Sequence, residues 1–200
     1  ENHHPTKIIL SSVIKHRDGL EAQLGAAAKF HMLGHASKLP ITTPVGKPET
    51  IGADRLALCS AAVDLFEGQH NLAIGLGTCI TYNFINKYHE FLGGSISPGM
   101  NMRFRAMHEQ TALLPLIEAQ NQFPLVGYDT KTNLLSGVIL GMAKEIDGII
   151  EAYAQKYSNF NVLLTGGDMP FFVPHLKNRI FADPNLIFKG LYAISEFNNG

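Results

Sequence analysis

Two sets of residues in this chain have the types and spacing to do chemistry. The first is Asp54-Arg55, a carboxylate and a guanidinium at the head of an apolar segment. A carboxylate so placed can accept a proton from a hydroxyl, or it can serve only as an ion-pair or helix-dipole partner. The second is a series of glycine turns with hydroxyls beside them: Gly75-Leu76-Gly77-Thr78 with Thr81 just beyond, Gly93-Gly94, Pro98-Gly99, and Thr165-Gly166-Gly167-Asp168. Glycine lets backbone N–H groups reach a phosphate, and Thr78 and Thr81 add donors. For Gly93-Gly94 the choice is close approach to another strand or to a ligand. For Gly166-Gly167 it is a simple turn or a backbone platform for a nucleotide. Gly75-Leu76-Gly77 is not a dinucleotide fingerprint, because it has no third glycine at the right spacing and leads into a strand.

These residues need elements to hold them. Cys79 to Ile85 alternates, with Ile80, Tyr82 and Phe84 on one face and Cys79, Thr81 and Asn83 on the other, which predicts a strand. Phe91 to Ser97 predicts a second strand, and together with the run from Asn71 they make a glycine-punctuated β-meander. Lys47 to Arg55 predicts the opening of a helix that continues to about Phe66, with Thr50 as N-cap and Gly68 at the far end. That helix is apolar nearly all round, so it should be buried and both Asp54 and Arg55 should need partners. Lys7 to Val13 and Phe30 to Leu33 read as strands, Asp18 to Lys29 as a short helix, and Gly34 to Gly52 as loop. Met100 to Leu114 is expected to be a helix that carries Arg103, Arg105 and His108. Thr130 to Tyr153 is the clearest helix, with Leu135, Val138, Ile139, Met142, Ile146, Ile149 and Ile150 at helical spacing. Gly137 and Gly141 would let another helix come close, from the same chain or from a second subunit. Asn161 to Leu164 is a strand, and Pro184 to Ile194 ends in a last helix.

Composition narrows the class. The chain has 200 residues, 46% of them hydrophobic, with a formal net charge of -1, enough for a core and without the broad basic footprint of a nucleic-acid binder. Cys59 and Cys79 lie in apolar surroundings with no CxxC pairing and read as reduced residues of a cytoplasmic protein. No apolar run approaches membrane-spanning length, so a soluble protein is expected. The histidines have no metal-ligand spacing, and no P-loop, nucleophile elbow or triad is legible. The chain opens on ENHHPT, without an initiator Met, and a strand follows at once. This leads us to expect that an N-terminal part is missing.

The order of the motifs is more specific than any one of them. PETIGADR (Pro48 to Arg55), GLGTCIT (Gly75 to Thr81), GGSISPGM (Gly93 to Met100), GYDTKTNLLSG (Gly127 to Gly137) and LTGGD (Leu164 to Asp168) resemble, in sequence, the motif series of type III pantothenate kinases. The resemblance runs from about Lys7 to Ile194. It implies an α/β, two-domain actin-like (ribonuclease H-like) fold with mixed sheets and flanking helices. Residues 1–70 would be the remainder of the first domain, with the GxDR helix at its end, and 71–200 the second domain. It also implies ATP-dependent phosphorylation of pantothenate, the first step of coenzyme A biosynthesis, by a homodimer that uses ATP and Mg²⁺.

The resemblance assigns roles residue by residue. Asp54 matches the catalytic base. Gly52, Ala53 and Arg55 line the same pocket, with Arg55 either neutralising the substrate carboxylate or holding Asp54. Thr78 matches a nucleotide-contacting threonine, with Gly77 and Thr81 beside it, and Gly166 and Gly167 belong near adenosine or phosphates. Thr130 matches a threonine that reaches the pantothenate pocket of the neighbouring subunit. The departures are specific too. Nothing in Glu1 to Val13 matches the family's first phosphate motif. Gly75 replaces the aspartate tied to a monovalent cation (K⁺ or NH₄⁺), Asn83 replaces an acidic residue, and Val45 stands where an aromatic is usual. These departures keep open a catalytically degenerate or regulatory, accessory-factor-like member of the same fold. A kinase for another small alcohol is the third reading, and the GxDR and Thr130 matches oppose it.

Overall fold

The computed structural model describes residues 4–12, 16–34, 36–44 and 46–199. The reading made on Val45 and the end of the strand expected from Lys7 to Val13 lie outside that set. A five-stranded mixed sheet forms the centre. Its strands are β3 (His70–Leu76), β4 (Cys79–Ile85), β5 (Phe91–Pro98), β6 (Phe160–Thr165) and β7 (Phe181–Ala182). They lie in the order β5-β4-β3-β6-β7, antiparallel across the first three and parallel from β3 to β6 to β7. A three-strand meander whose first strand then pairs in parallel with a later strand is the ribonuclease H-like arrangement that the resemblance implies. A second, two-stranded parallel sheet pairs β1 (Lys7–Leu10) with β2 (Lys29–Met32), joined by helix α1 (Leu20–Ala27).

The sheet separates two helical layers. On one face Leu72, Ile74, Ile80, Tyr82 and Phe84 form a core with α4 (Thr130–Lys156), through Leu135, Val138, Ile139, Met142 and Ile146. On the other, Ala73, Ile85 and Leu163 meet Leu58, Cys59, Ala61 and Ala62 of α2 (Ala53–Leu65). The period-two pattern of β4 therefore sorts its residues as expected, with Thr81 and Asn83 on the α2 side. Helix α6 (Leu186–Asn199) packs along α2 and meets β1 and β2. Gly190 allows this contact, since a Cβ there would lie 1.8 Å from the Ala57 carbonyl oxygen.

Several boundaries differ from the sequence reading. Pro48–Thr50 forms a separate 3-10 turn, in which the Thr50 hydroxyl donates to the Lys47 carbonyl, and the N-cap of α2 is Gly52. Thr50 is thus spent on its own turn and cannot cap the helix. Helix α3 (Met100–Glu109) stops before Leu114, and α4 begins with a capping box between Asp129 and Thr132. In that box the Thr132 backbone N–H donates to Asp129 Oδ1 at 2.7 Å. The Gly93-Gly94 pair serves strand approach: at Gly94 (φ +157°) a Cβ would lie 1.8 Å from the Tyr82 carbonyl oxygen.

Candidate functional site

Asp54 is the second residue of α2, in the turn where backbone N–H groups are unpaired and the helix dipole favours an anion. Its side chain is exposed, and among the described residues it makes no hydrogen bond or ion pair. The expectation that burial forces a partner on Asp54 is therefore corrected: only the following turns of α2 are buried, from Ala57 to Val63. The carboxylate folds back over Gly52, so that a Cβ at that position would come within 2.5 Å of Asp54 Oδ1. Gly52 itself has φ -60° and ψ 141°, which any residue can adopt, so its lack of a side chain serves Asp54 and not the backbone.

Arg55 points inward and is tied down. Its Nε donates to Asn83 Oδ1 at 2.6 Å, and its guanidinium carbon lies 5.4 Å from the centre of the Phe91 ring. Asn83 Nδ2 in turn donates to the Ala73 carbonyl at 3.0 Å and lies 3.3 Å from Thr81 Oγ1. Arg55 thus belongs to a network with β4 and does not hold Asp54; that alternative is corrected. Its remaining N–H groups can still face a ligand.

The glycine turns gather at the ends of β3 and β6. Gly166 (φ +109°) sits against the Leu76 carbonyl, where a Cβ would be 2.0 Å away, and the Asp168 N–H donates to that oxygen at 3.3 Å. On the other side, the Gly99 N–H donates to the Thr78 carbonyl at 3.1 Å. Gly77, Thr78 and Asp168 open onto a groove of about 830 Å³, which also takes in Arg105 and the apolar Met102 and Ile117. A glycine and hydroxyl turn, Arg105 and an apolar wall share this groove with the carboxylates of Glu109, Glu118 and Asp168, so an anionic ligand with a flat apolar part would need a countercation there. Sequence reasoning gave Asp168 no role. Its carboxyl is pushed above the usual range by burial, and it makes no cap on the short helix that follows, α5 (Met169–Phe172). The residue after the glycine pair was the available signal.

The predicted residues fall into three places. Gly52, Ala53, Asp54 and Arg55 share the start of α2, with Thr81 linked to them through Asn83. Gly77, Thr78, Gly166 and Gly167 sit around the β3–β4 and β6 turns. Thr130 is the first residue of α4, exposed, on a helix that packs against the sheet face opposite α2. Among the described residues no group of three or more His, Cys, Asp or Glu could hold a metal, and no helix is long and apolar enough to cross a membrane.

Comparison with known proteins gives a consistent answer. A family model described as type III pantothenate kinase matches residues 1–152. The chain is 42% identical over 194 residues to a type III pantothenate kinase of Cytophaga hutchinsonii, covering 97% of this chain and 82% of that protein. It is likewise 42% identical over 195 residues to one of Bacteroides fragilis, covering 97% and 80%. Among solved structures, a Baf family transcriptional activator from Campylobacter jejuni superposes with a TM-score of 0.61 at 23% identity, over 98% of this chain and 84% of that one. At that identity the likeness is one of fold.

Proposed function

Because the chain belongs to the type III pantothenate kinase family, whose reaction is the ATP-dependent phosphorylation of pantothenate in coenzyme A biosynthesis, we propose that Asp54 is the base of that reaction. The observation that carries this is an exposed, unpartnered carboxylate at a helix start, beneath a residue with no side chain to displace it. Phosphoryl transfer is mostly positioning and charge stabilisation. Asp54 aligns the pantothenate hydroxyl and takes its proton as that oxygen attacks the γ-phosphorus of ATP; ADP leaves. Gly52 and Ala53 line the pocket through their backbone, and the free N–H groups of Arg55 meet the pantothenate carboxylate. Gly77 and Thr78 receive the nucleotide in the groove, with Gly166 and Gly167 at the adjoining β6 turn, and Thr81 steadies Asn83 from beneath. These substrates and the reduced Cys59 and Cys79 fit a cytoplasmic setting.

Magnesium fits as a companion of ATP. Mg²⁺ is commonly bound by substrate phosphates, waters and one or two carboxylates, and the groove offers Asp168 for this. Bound there, it would neutralise charge on the phosphates. A carboxylate-held monovalent cation does not fit. Gly75 faces the Thr81 hydroxyl and Leu58, and Thr165, its partner across the strands, has a buried Oγ1 without a partner among the described residues. All of these are uncharged, Asn83 Oδ1 is engaged by Arg55, and the charge brought into this network is positive. A buried cation needs a compensating charge.

The homodimer is part of the same reading. Asp54 and Thr130 lie on opposite layers of the sheet, so a second copy is the simplest source of a threonine for each pocket. The loop before α4 supports it: Leu125, Val126 and Tyr128 are 78%, 80% and 81% exposed, an apolar cluster suited to a second copy. The test is a coupled phosphorylation assay on the folded protein with pantothenate and ATP, with K⁺ exchanged for Na⁺. Turnover of similar size in both salts is expected. Absence of turnover in both salts would overturn the kinase reading, and turnover in K⁺ alone would overturn the reading of Gly75.

A further inference from the structure

Arg103 lies on α3, one turn beyond Gly99, and has a set of partners unlike that of a solvated helix arginine. Its Nε donates to the Pro98 carbonyl at 2.9 Å, and an Nη donates to Ser97 Oγ at 3.0 Å. That same nitrogen donates to Glu145 Oε2 on α4, and the other oxygen of Glu145 accepts from the buried Tyr82 hydroxyl at 3.2 Å. The Arg103 and Glu145 side chains are 24% and 26% exposed, so the pair is largely withdrawn from water. Charge-assisted bonds in such surroundings hold geometry better than exposed ion pairs do.

What this clamp holds is the end of β5, and the end of β5 holds the β3–β4 turn. Gly99 follows the clamped Pro98, and its N–H donates to the Thr78 carbonyl. The backbones there meet without slack: a Cβ on Gly99 would lie 2.1 Å from the Gly77 carbonyl oxygen and 2.6 Å from that of Thr78. A shift of Pro98 is therefore passed directly to Gly77 and Thr78, with no side chain between to absorb it. We propose that Arg103, backed by Glu145, is a positioning residue for nucleotide binding, fixing the β3–β4 turn at the height at which Thr78 meets the phosphates of ATP. This rests on the reading of that turn as the phosphate holder. An arginine suits the task because its planar fork serves three acceptors at once, the Pro98 carbonyl and Ser97 hydroxyl at the end of β5 and the Glu145 carboxylate on a neighbouring helix; lysine brings the charge without the fork.

The inference separates the two substrates. Arg103 acts on the turn, and the pantothenate residues proposed on α2 lie outside its contacts. Arg103→Lys keeps the charge facing Glu145 and loses the fork. It is expected to raise KM for ATP roughly tenfold, the scale of a small misplacement of a binding group, with KM for pantothenate changed less than about twofold. Ser97→Ala, which removes one acceptor without touching a charge, should give a smaller change in the same direction. Thr78→Ala serves as the reference for the turn, and thermal unfolding is followed for every variant. If Thr78→Ala raises KM for ATP while Arg103→Lys and Ser97→Ala leave it unchanged, the clamp has no positioning role and the turn keeps its own. If Thr78→Ala also leaves KM for ATP unchanged, the turn is not the phosphate holder and the proposal falls with it. A parallel rise in both KM values together with a lowered unfolding temperature would make Arg103 a general structural brace and overturn the proposal.

Discussion

At the scale of single residues, the site rests on the difference between having a carboxylate and having it aimed. Among the described residues Asp54 makes no hydrogen bond or ion pair, so its replacement should not disturb stability. Asp54→Asn is expected to leave the thermal unfolding temperature nearly unchanged and to lower kcat by about 10²–10⁴-fold, the range of lost general-base help. A steady-state assay that finds kcat intact would remove Asp54 from that role. Gly52 gives a subtler test. An alanine there fits the backbone, but its methyl occupies the space of Asp54 Oδ1. Because the displaced atom ends a short mobile side chain, the cost falls on orientation rather than on folding. Gly52→Ala should therefore lower kcat by roughly tenfold or more through misplacement of Asp54; unchanged kcat in a normally folded variant would show that Asp54 needs no such clearance. Asp54 and Gly52 were legible because they are neighbours in one motif. Asp168 was not given a role, because its place in the groove follows from how the chain turns at Gly166.

At the scale of elements, what was legible is what is periodic or local. The alternation of β4 sorted Tyr82 from Asn83, and the spacing in α4 named the residues that reach the sheet. The N-cap of α2 was misassigned to Thr50 because a 3-10 turn intervenes, and nothing in the string PETIG marks where that turn ends and the helix begins. The ties between elements were not legible at all, since they join residues far apart in sequence: Arg103 to Glu145 across 42 positions, Asp147 to Asn178 across 31. Asp147 shows what such a tie does. It is a buried carboxylate on α4 that accepts from the backbone N–H groups of Lys177 and Asn178 and from Asn178 Nδ2 at 2.8 Å. Burial alone would push its carboxyl up, but the bonds from Asn178 and Lys177 outweigh burial and hold it below the ordinary value. A depressed folded value means that its stabilisation is complete above the unfolded carboxylate value of about 3.9 and is lost as pH falls through the folded one. Asp147→Ala, which leaves those donors unpaired, should cost about 1–3 kcal/mol at neutral pH. Urea unfolding followed from pH 7 downward should show a shallower acid decline in the variant than in the parent. Parallel curves would mean that Asp147 contributes nothing to the acid limb.

At the scale of the whole molecule, the sheet acts as a partition. Helix α2 brings Asp54 to one layer and α4 carries Thr130 on the other, while the loop leading to Thr130 exposes Leu125, Val126 and Tyr128. A chain built this way does not need to bend α4 around its own sheet if a second copy supplies the threonine, and a two-fold dimer then completes both pockets by one symmetric contact. That arrangement makes a prediction no single-site variant can make. Asp54→Asn and Thr130→Ala homodimers should each be poorly active. When the two are mixed and allowed to exchange subunits, a mixed dimer has one pocket that carries both defects and one that carries neither. Random exchange makes about half of the dimers mixed, so about a quarter of all pockets become intact and activity should rise to near that fraction of the parent. If Thr130 served the Asp54 of its own chain, every pocket in the mixture would still carry a defect, and mixing would restore nothing. The rise should also disappear with Val126→Asp in both partners, because a charge in the exposed apolar cluster opposes the contact through which the threonine arrives. Recovery that survives that change would place the subunit contact elsewhere on the molecule.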